Sequence, residues 1–141
     1  MSTYLIVANR TLPSPTLADA IAERLARGDS RFHVVVPATP VGAGLTWNED
    51  DSRAAAQERL DAILGRLRDL GATEATGEIG VADPVGAVHD ALTARVFDEV
   101  ILSTLPAGLS RWLGQDVPSR LRNAVDVPVT VVTARETAQA K

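Results

Sequence analysis

Cysteine is absent from the 141-residue chain, which excludes a disulfide framework, a thiolate nucleophile, an iron–sulfur cluster and a cysteine-ligated zinc. The missing thiols fit a reducing cytoplasm, the expected location. Basic blocks are missing too. Fourteen Lys and Arg against 18 Asp and Glu give a formal charge of −4, so the electrostatic footprint of a nucleic-acid binder is not there and no such partner is expected. No segment approaches the roughly 18 apolar residues of a membrane span, and the opening Met1-Ser2-Thr3-Tyr4 has no basic region ahead of a long apolar stretch. Neither an export signal nor a membrane partner is expected. Aromatic residues are only 4%, so Ala, Val, Leu and Ile must fill the core. That suits buried strands flanked by helices better than a sandwich built on large rings.

The chain does have enough apolar residues, 45% against 23% charged, to fold as an ordinary globular domain. Its length is that of one domain, and residues 1–141 are read as a single one, with 134–141 a frayed polar tail. Tyr4 to Ala8 is an unbroken apolar run, the mark of a strand buried on both faces. Ser14-Pro15 offers a helix start, and Leu17, Ile21 and Leu25 recur every four residues until Gly28. Arg31 to Pro37 carries Val34-Val35-Val36 as a second strand. Pro37, Pro40, Gly42 and Gly44 then predict a loop from Ala38 to Asp51. Leu60, Ile63, Leu64, Leu67 and Leu70 stripe a helix from about Ser52 to Leu70, stopped by Gly71. Ala72 to Ile79 reads as a more polar strand near the sheet edge. Asp83-Pro84 caps a third helix carrying Val85, Val88, Leu92 and Val96 and ending near Phe97. Glu99 to Leu102 is a fourth strand bounded by Ser103-Thr104, Asp116 to Ala124 a short helix, and Val127 to Val132 a fifth strand.

Five strands alternating with four helices predict parallel right-handed crossovers, hence a doubly wound three-layer α/β/α sheet of Rossmann-like type. Ligands of such sheets bind beyond the carboxyl ends of the strands where strand order reverses. The loops Asn9 to Ser14, Ala38 to Asp51 and Ser103 to Ser119 are therefore the ones to watch. His33 and His89 lie in different elements with no second ligand beside them, and Asn48-Glu49-Asp50-Asp51 is explained by helix N-terminal charge, so no metal is expected. Ser103, Ser110 and Ser119 show no paired base, Gly42-Ala43-Gly44 is too short for a dinucleotide fingerprint, and no catalytic constellation is visible.

The strand-helix order, Leu5 to Ala8, Asp98 to Ser103, Leu113-Gly114 before a short helix, and the closing Val127-Pro128-Val129-Thr130-Val131-Val132 together resemble the universal stress proteins over nearly the whole chain. The resemblance implies a binding module of stress responses, an adenine nucleotide such as ATP or AMP as ligand with no cofactor required, and a homodimer formed through the last strand. It also implies where the ligand sits. Where nucleotide-binding members end the first strand in Asp this chain has Asn9, and where they write a glycine-rich loop after the fourth strand it has Ser103, Pro106, Gly114 and Gln115. The lost glycines remove backbone N–H groups that approach phosphates closely, which weighs against a triphosphate.

The candidate ligand-binding residues are Ala8, Asn9, Arg10, Pro37, Ser103, Thr104, Gly108, Ser110, Arg111, Gly114 and Gln115. Asn9 can donate and accept at a strand end, Arg111 can pair with a phosphate or carboxylate, and Trp112 can stack a planar group. The alternative is an interaction module that binds no nucleotide. There Leu105, Leu109 and Trp112 of the same loop form a protein contact surface, and Trp47 in the earlier loop is open to the same two readings.

Overall fold

The computed structural model describes residues 2–8, 15–37, 49–81, 83–104 and 117–133. Nine elements alternate along them: β1 (Ser2–Ala8), α1 (Pro15–Ala26), β2 (Ser30–Pro37), α2 (Glu49–Asp69), β3 (Glu74–Gly80), α3 (Pro84–Ala94), β4 (Glu99–Thr104), α4 (Val117–Ala124) and β5 (Val129–Thr133). The strands form one sheet in the order β3-β2-β1-β4-β5, parallel at every step. The expected doubly wound α/β architecture is the one observed.

Successive strand residues point to opposite faces, so each strand feeds two cores. Tyr4, Ile6 and Ala8 of β1 join Phe32, Val34 and Val36 of β2 beneath α1 and α2, where Leu17, Ile21, Leu60, Ile63 and Leu67 cover them. Leu5 and Val7 join Val35, Val100 and Leu102 on the other face, under Ala87, Val88 and Ala91 of α3 and Val117 and Leu121 of α4. Leu5, Ile6, Val7 and Ala8 have no exposed surface at all. That is why the central strand reads as a continuous apolar run and the outer β3 alternates.

Helix ends follow the local chemistry. Gly71 takes φ 104°, and α2 closes with the Ala72 amide donating to the Leu67 carbonyl and the Gly71 amide to that of Arg68, each at 3.0 Å. This is the paired pattern of a glycine C-terminal stop, accompanied here by the Ala72–Leu67 apolar contact. Gly28, at φ 133°, turns the chain after α1 in the same left-handed region.

Several boundaries differ from expectation. Glu49, Asp50 and Asp51 are not loop but the first turn of α2. Ser103 and Thr104 belong to β4, because pairing with Val132 and Thr133 extends the ladder past Leu102. β5 begins at Val129, since Pro128 has no amide to donate and its carbonyl instead receives the Val100 N–H. α3 stops at Ala94, so Val96 is not on its apolar stripe and stands 88% exposed. The expected frayed tail and the centre of the loop Ala38 to Asp51 lie outside the described residues.

Candidate functional site

The strand order turns back once, between β1 and β4. β1 leads outward to β2 and β3, and the chain then returns to β4 on the other side of β1 and continues to β5. At the carboxyl end of this step Ala8 stands opposite Ser103, and Pro37 ends the neighbouring β2 opposite Gly80 of β3. Of the candidate residues, Ala8, Pro37, Ser103 and Thr104 therefore share one edge of the sheet. Ala8, Pro37 and Ser103 are buried, so they form a floor and not an exposed wall. Asn9, Arg10, Gly108, Ser110, Arg111, Gly114 and Gln115 lie outside the described residues, as do Trp47 and Trp112.

Because the sheet is parallel, the helix that follows each strand opens at this same edge and turns its N-terminus toward it, the end at which free backbone N–H groups and the helix dipole favour an anion. Two of these starts are pinned. The Thr16 hydroxyl of α1 donates to the Thr133 carbonyl at 3.0 Å, holding α1 over the end of β5. Asp83 caps α3 by accepting the Gly86 amide at 3.1 Å and also receives Arg120 of α4 at 3.4 Å. The capping aspartate read from Asp83-Pro84 is thus in place and supplies the negative charge for α3.

The opposite edge has another character. A groove of about 350 Å³ lies there between the ends of α1 and α2 and the starts of β2 and β3. Helix C-termini present carbonyls, which repel anions. Next to it lies the most enclosed ion pair among the described residues. Arg24, with its side chain 6% exposed, forks onto Glu99 at 3.0 Å and 2.7 Å and also donates to the Ala20 carbonyl and, at 3.3 Å, to the exposed Glu23 carboxylate. Thr130 of β5 donates to the same carboxylate, and the Arg24 guanidinium lies 5.9 Å from the Tyr4 ring centre. Burial alone would push the Glu99 carboxyl up, but the hydrogen bonds from Arg24 and Thr130, with the charges of Arg24 and Arg27, hold it below its ordinary value. The bond to Glu99 raises Arg24 further, against its own burial. This cluster fastens α1 to β4 and β5 and is not part of the carboxyl-edge site.

One cluster away from that edge escaped the sequence reading. His33 of β2 is buried, and its ring lies 2.7 Å from the Thr76 hydroxyl and 2.7 Å from the Glu78 carboxylate, both on β3. Thr76-Gly77-Glu78 puts two polar side chains on one face of a strand. Only the β2–β3 register brings His33 between them. Among the described residues, no group of three or more His, Asp and Glu is placed to hold a metal, and no helix is long and apolar enough to cross a membrane.

A parallel sheet with one reversal and helix starts gathered beside it defines the doubly wound α/β class. No protein-family model matches the chain, and no curated protein matches it in sequence. Solved structures do. The universal stress protein from Archaeoglobus fulgidus in complex with dAMP is 18% identical with a TM-score of 0.64, over 94% of this chain and 99% of that one. A universal stress protein family protein from Arabidopsis thaliana with AMP bound is 15% identical with a TM-score of 0.64, over 99% and 95%. The universal stress protein UspA from Lactobacillus plantarum is 14% identical with a TM-score of 0.67, over 93% and 97%. The chain thus has the universal stress protein fold over almost its entire length, as the resemblance in its sequence implied.

Proposed function

We propose that the chain is a divergent universal stress protein, a single-domain cytoplasmic module of the stress response that works by binding an adenine nucleotide at the carboxyl edge of its sheet. The observation that carries this reading is the Ala8–Ser103 step at the β1–β4 reversal, the place where doubly wound sheets take ligands, in a fold whose solved relatives include complexes with AMP and dAMP. Asn9 reads the base or ribose. Arg10, Thr104, Ser110, Arg111 and the backbone at Gly108 and Gly114 hold the phosphate, with Gln115 at the approach to α4 and Ala8, Pro37 and Ser103 as the floor. A monophosphate suits the loop better than ATP, because Ser103 and Pro106 stand where close backbone approach would need glycine. No cofactor is needed for this role.

Thermal-shift titration with AMP, ADP, ATP and cyclic AMP, with and without magnesium, tests the reading. A ligand at 100 times its Kd adds about 2.7 kcal/mol to stability. A saturable shift with AMP, weakened in Arg111→Ala, is the expected result. Absence of any shift at millimolar nucleotide favours the second reading, an interaction module in which Leu105, Leu109 and Trp112 contact a protein, and Trp112→Ala then becomes the informative variant. In either case we propose a homodimer joined through β5. Its half-buried Val129 and Val131 end the sheet without a charged side chain of their own, and an edge of that kind takes another strand.

A further inference from the structure

We propose that Thr76, His33 and Glu78 form a hydroxyl-activating relay that accepts acyl groups from small activated esters, a second site on the β2–β3 face of the sheet, independent of the carboxyl edge. A carboxylate can only accept, so the 2.7 Å contact between His33 Nε2 and Glu78 Oε2 places the ring proton on Nε2. His33 Nδ1 then presents its lone pair to the Thr76 hydroxyl, also at 2.7 Å. A hydroxyl aimed at an imidazole that a third group orients is the arrangement that activates nucleophiles.

The burial pattern suits the task. His33 is 4% exposed and its ring stacks on Phe97 with centres 6.1 Å apart, so the base is held in place. Thr76 is exposed and the Glu78 side chain is 53% exposed, so a substrate can reach the hydroxyl. Arg31 and Glu74 pair with each other one step along the same β2–β3 face, α3 meets this face through Ala87, Val88 and Ala91, and His89 and Asp90 of α3 are exposed. Among the described residues no strand lies beyond the outer edge of β3, and edge strands present N–H groups that can receive a developing oxyanion.

In the step, Thr76 Oγ1 bonds to the acyl carbon while its proton passes to His33 Nδ1. The carbon–oxygen bond to the leaving alcohol breaks, and that oxygen takes the proton from Nδ1. Water attacking the acyl-threonine by the same route releases the acid and restores the hydroxyl. Thr76 and His33 are the catalytic residues, and Glu78 is a positioning residue.

The test is reaction of the full chain with p-nitrophenyl acetate, followed by phenolate release and by mass mapping of peptides. The expected result is an acetyl group on Thr76 at a rate about 10²-fold above Thr93, an exposed threonine whose hydroxyl is instead bonded to the His89 carbonyl. Thr76→Val removes the adduct, Thr76→Ser retains it, and His33→Gln slows it by a similar factor. Glu78→Gln, an exposed change that keeps the fold should His33→Gln lose it, slows acylation and alters its pH profile. Equal labelling of Thr76 and Thr93, or an unchanged rate in a folded Glu78→Gln chain, overturns the proposal and leaves the cluster as a cross-strand clasp only.

Discussion

The two outer strands solve the problem of ending a sheet in opposite ways. β3 is the polar edge. It alternates Glu74, Thr76 and Glu78 on one side, and its cross-strand contacts, Arg31 to Glu74 and His33 to Thr76 and Glu78, lie partly in solvent. β5 is the apolar edge. Val129 and Val131 pack on the α3–α4 core, and the contact that fastens the strand, Thr130 to Glu99 and through it to Arg24, is more enclosed, with the Arg24 and Glu99 side chains 6% and 13% exposed. Charges along an edge discourage a further strand and their absence permits one. On this contrast rest the proposals of association at β5 and of chemistry at β3.

The comparison breaks most completely if β5 is given a charge. Val131→Lys keeps its stem against the core and places an ammonium at the edge, so the proposed dimer should become monomeric at micromolar concentration by light scattering or sedimentation. A wild-type chain that is already monomeric there would remove β5 as the pairing edge. Next in size is the buried fastening. Glu99→Gln leaves the enclosed Arg24 charge with only the exposed Glu23 carboxylate beside it and should lower unfolding stability by up to about 3–5 kcal/mol in denaturant titration. Linkage gives the sign with pH. The Glu99 carboxyl is held below its ordinary value of 4.5, so its stabilisation is full above that value and lost as pH falls through the folded-state value. The gap between wild type and Glu99→Gln should therefore narrow in acid, and a constant gap would show that the charge is not what stabilises.

A smaller effect belongs to the polar edge. Gly80 ends β3 against α3, where an added Cβ would lie 2.9 Å from that of Ala87 and 3.0 Å from Val35 Cγ1. Gly80→Val should cost about 1–3 kcal/mol through overpacking, and Gly80→Ala less. Equal stability of all three would mean that α3 shifts freely on β3, so that its close packing there is not what holds the polar edge.

The same contrast explains what could be read in the sequence. β1 and β2 are buried on both faces, and their apolar runs announce them. α2 shows its stripe at Leu60, Ile63 and Leu67, and the weaker polarity pattern of β3 already placed it at an edge. Helix ends were legible where a single residue forces the backbone, at Gly28, Gly71 and Asp83, and strand ends were misread where pairing decides, at Ser103, Thr104 and Val129. Contacts between distant positions left no local mark. Arg24 and Glu99 are 75 positions apart, His33 and Thr76 are 43 apart, and each residue read singly is an ordinary charge or a structural histidine. Of the candidate carboxyl edge, the gathering of strand ends was legible from the alternation of strands and helices, and strand order places Ala8 beside Ser103. What such an edge would bind depends on loop conformation, which periodicity does not encode.

The smallest effect separates the two edges most sharply. Arg31 and Glu74 face each other across β2 and β3 with side chains 49% and 45% exposed, a geometry in which water and salt screen the attraction and ordering two long side chains offsets much of it. Arg31→Ala should therefore lower stability by no more than about 1 kcal/mol, and raising the salt concentration should shrink the difference further. The outcome discriminates because Arg24→Ala, the same change at the other fastening, leaves the largely enclosed Glu99 carboxylate with the Thr130 hydroxyl but no counter-charge and should cost several times more with little response to salt. If both variants lost similar stability, the polar edge would be held as rigidly as the apolar one, and the free access to Thr76 on which its reactivity depends would have to be abandoned.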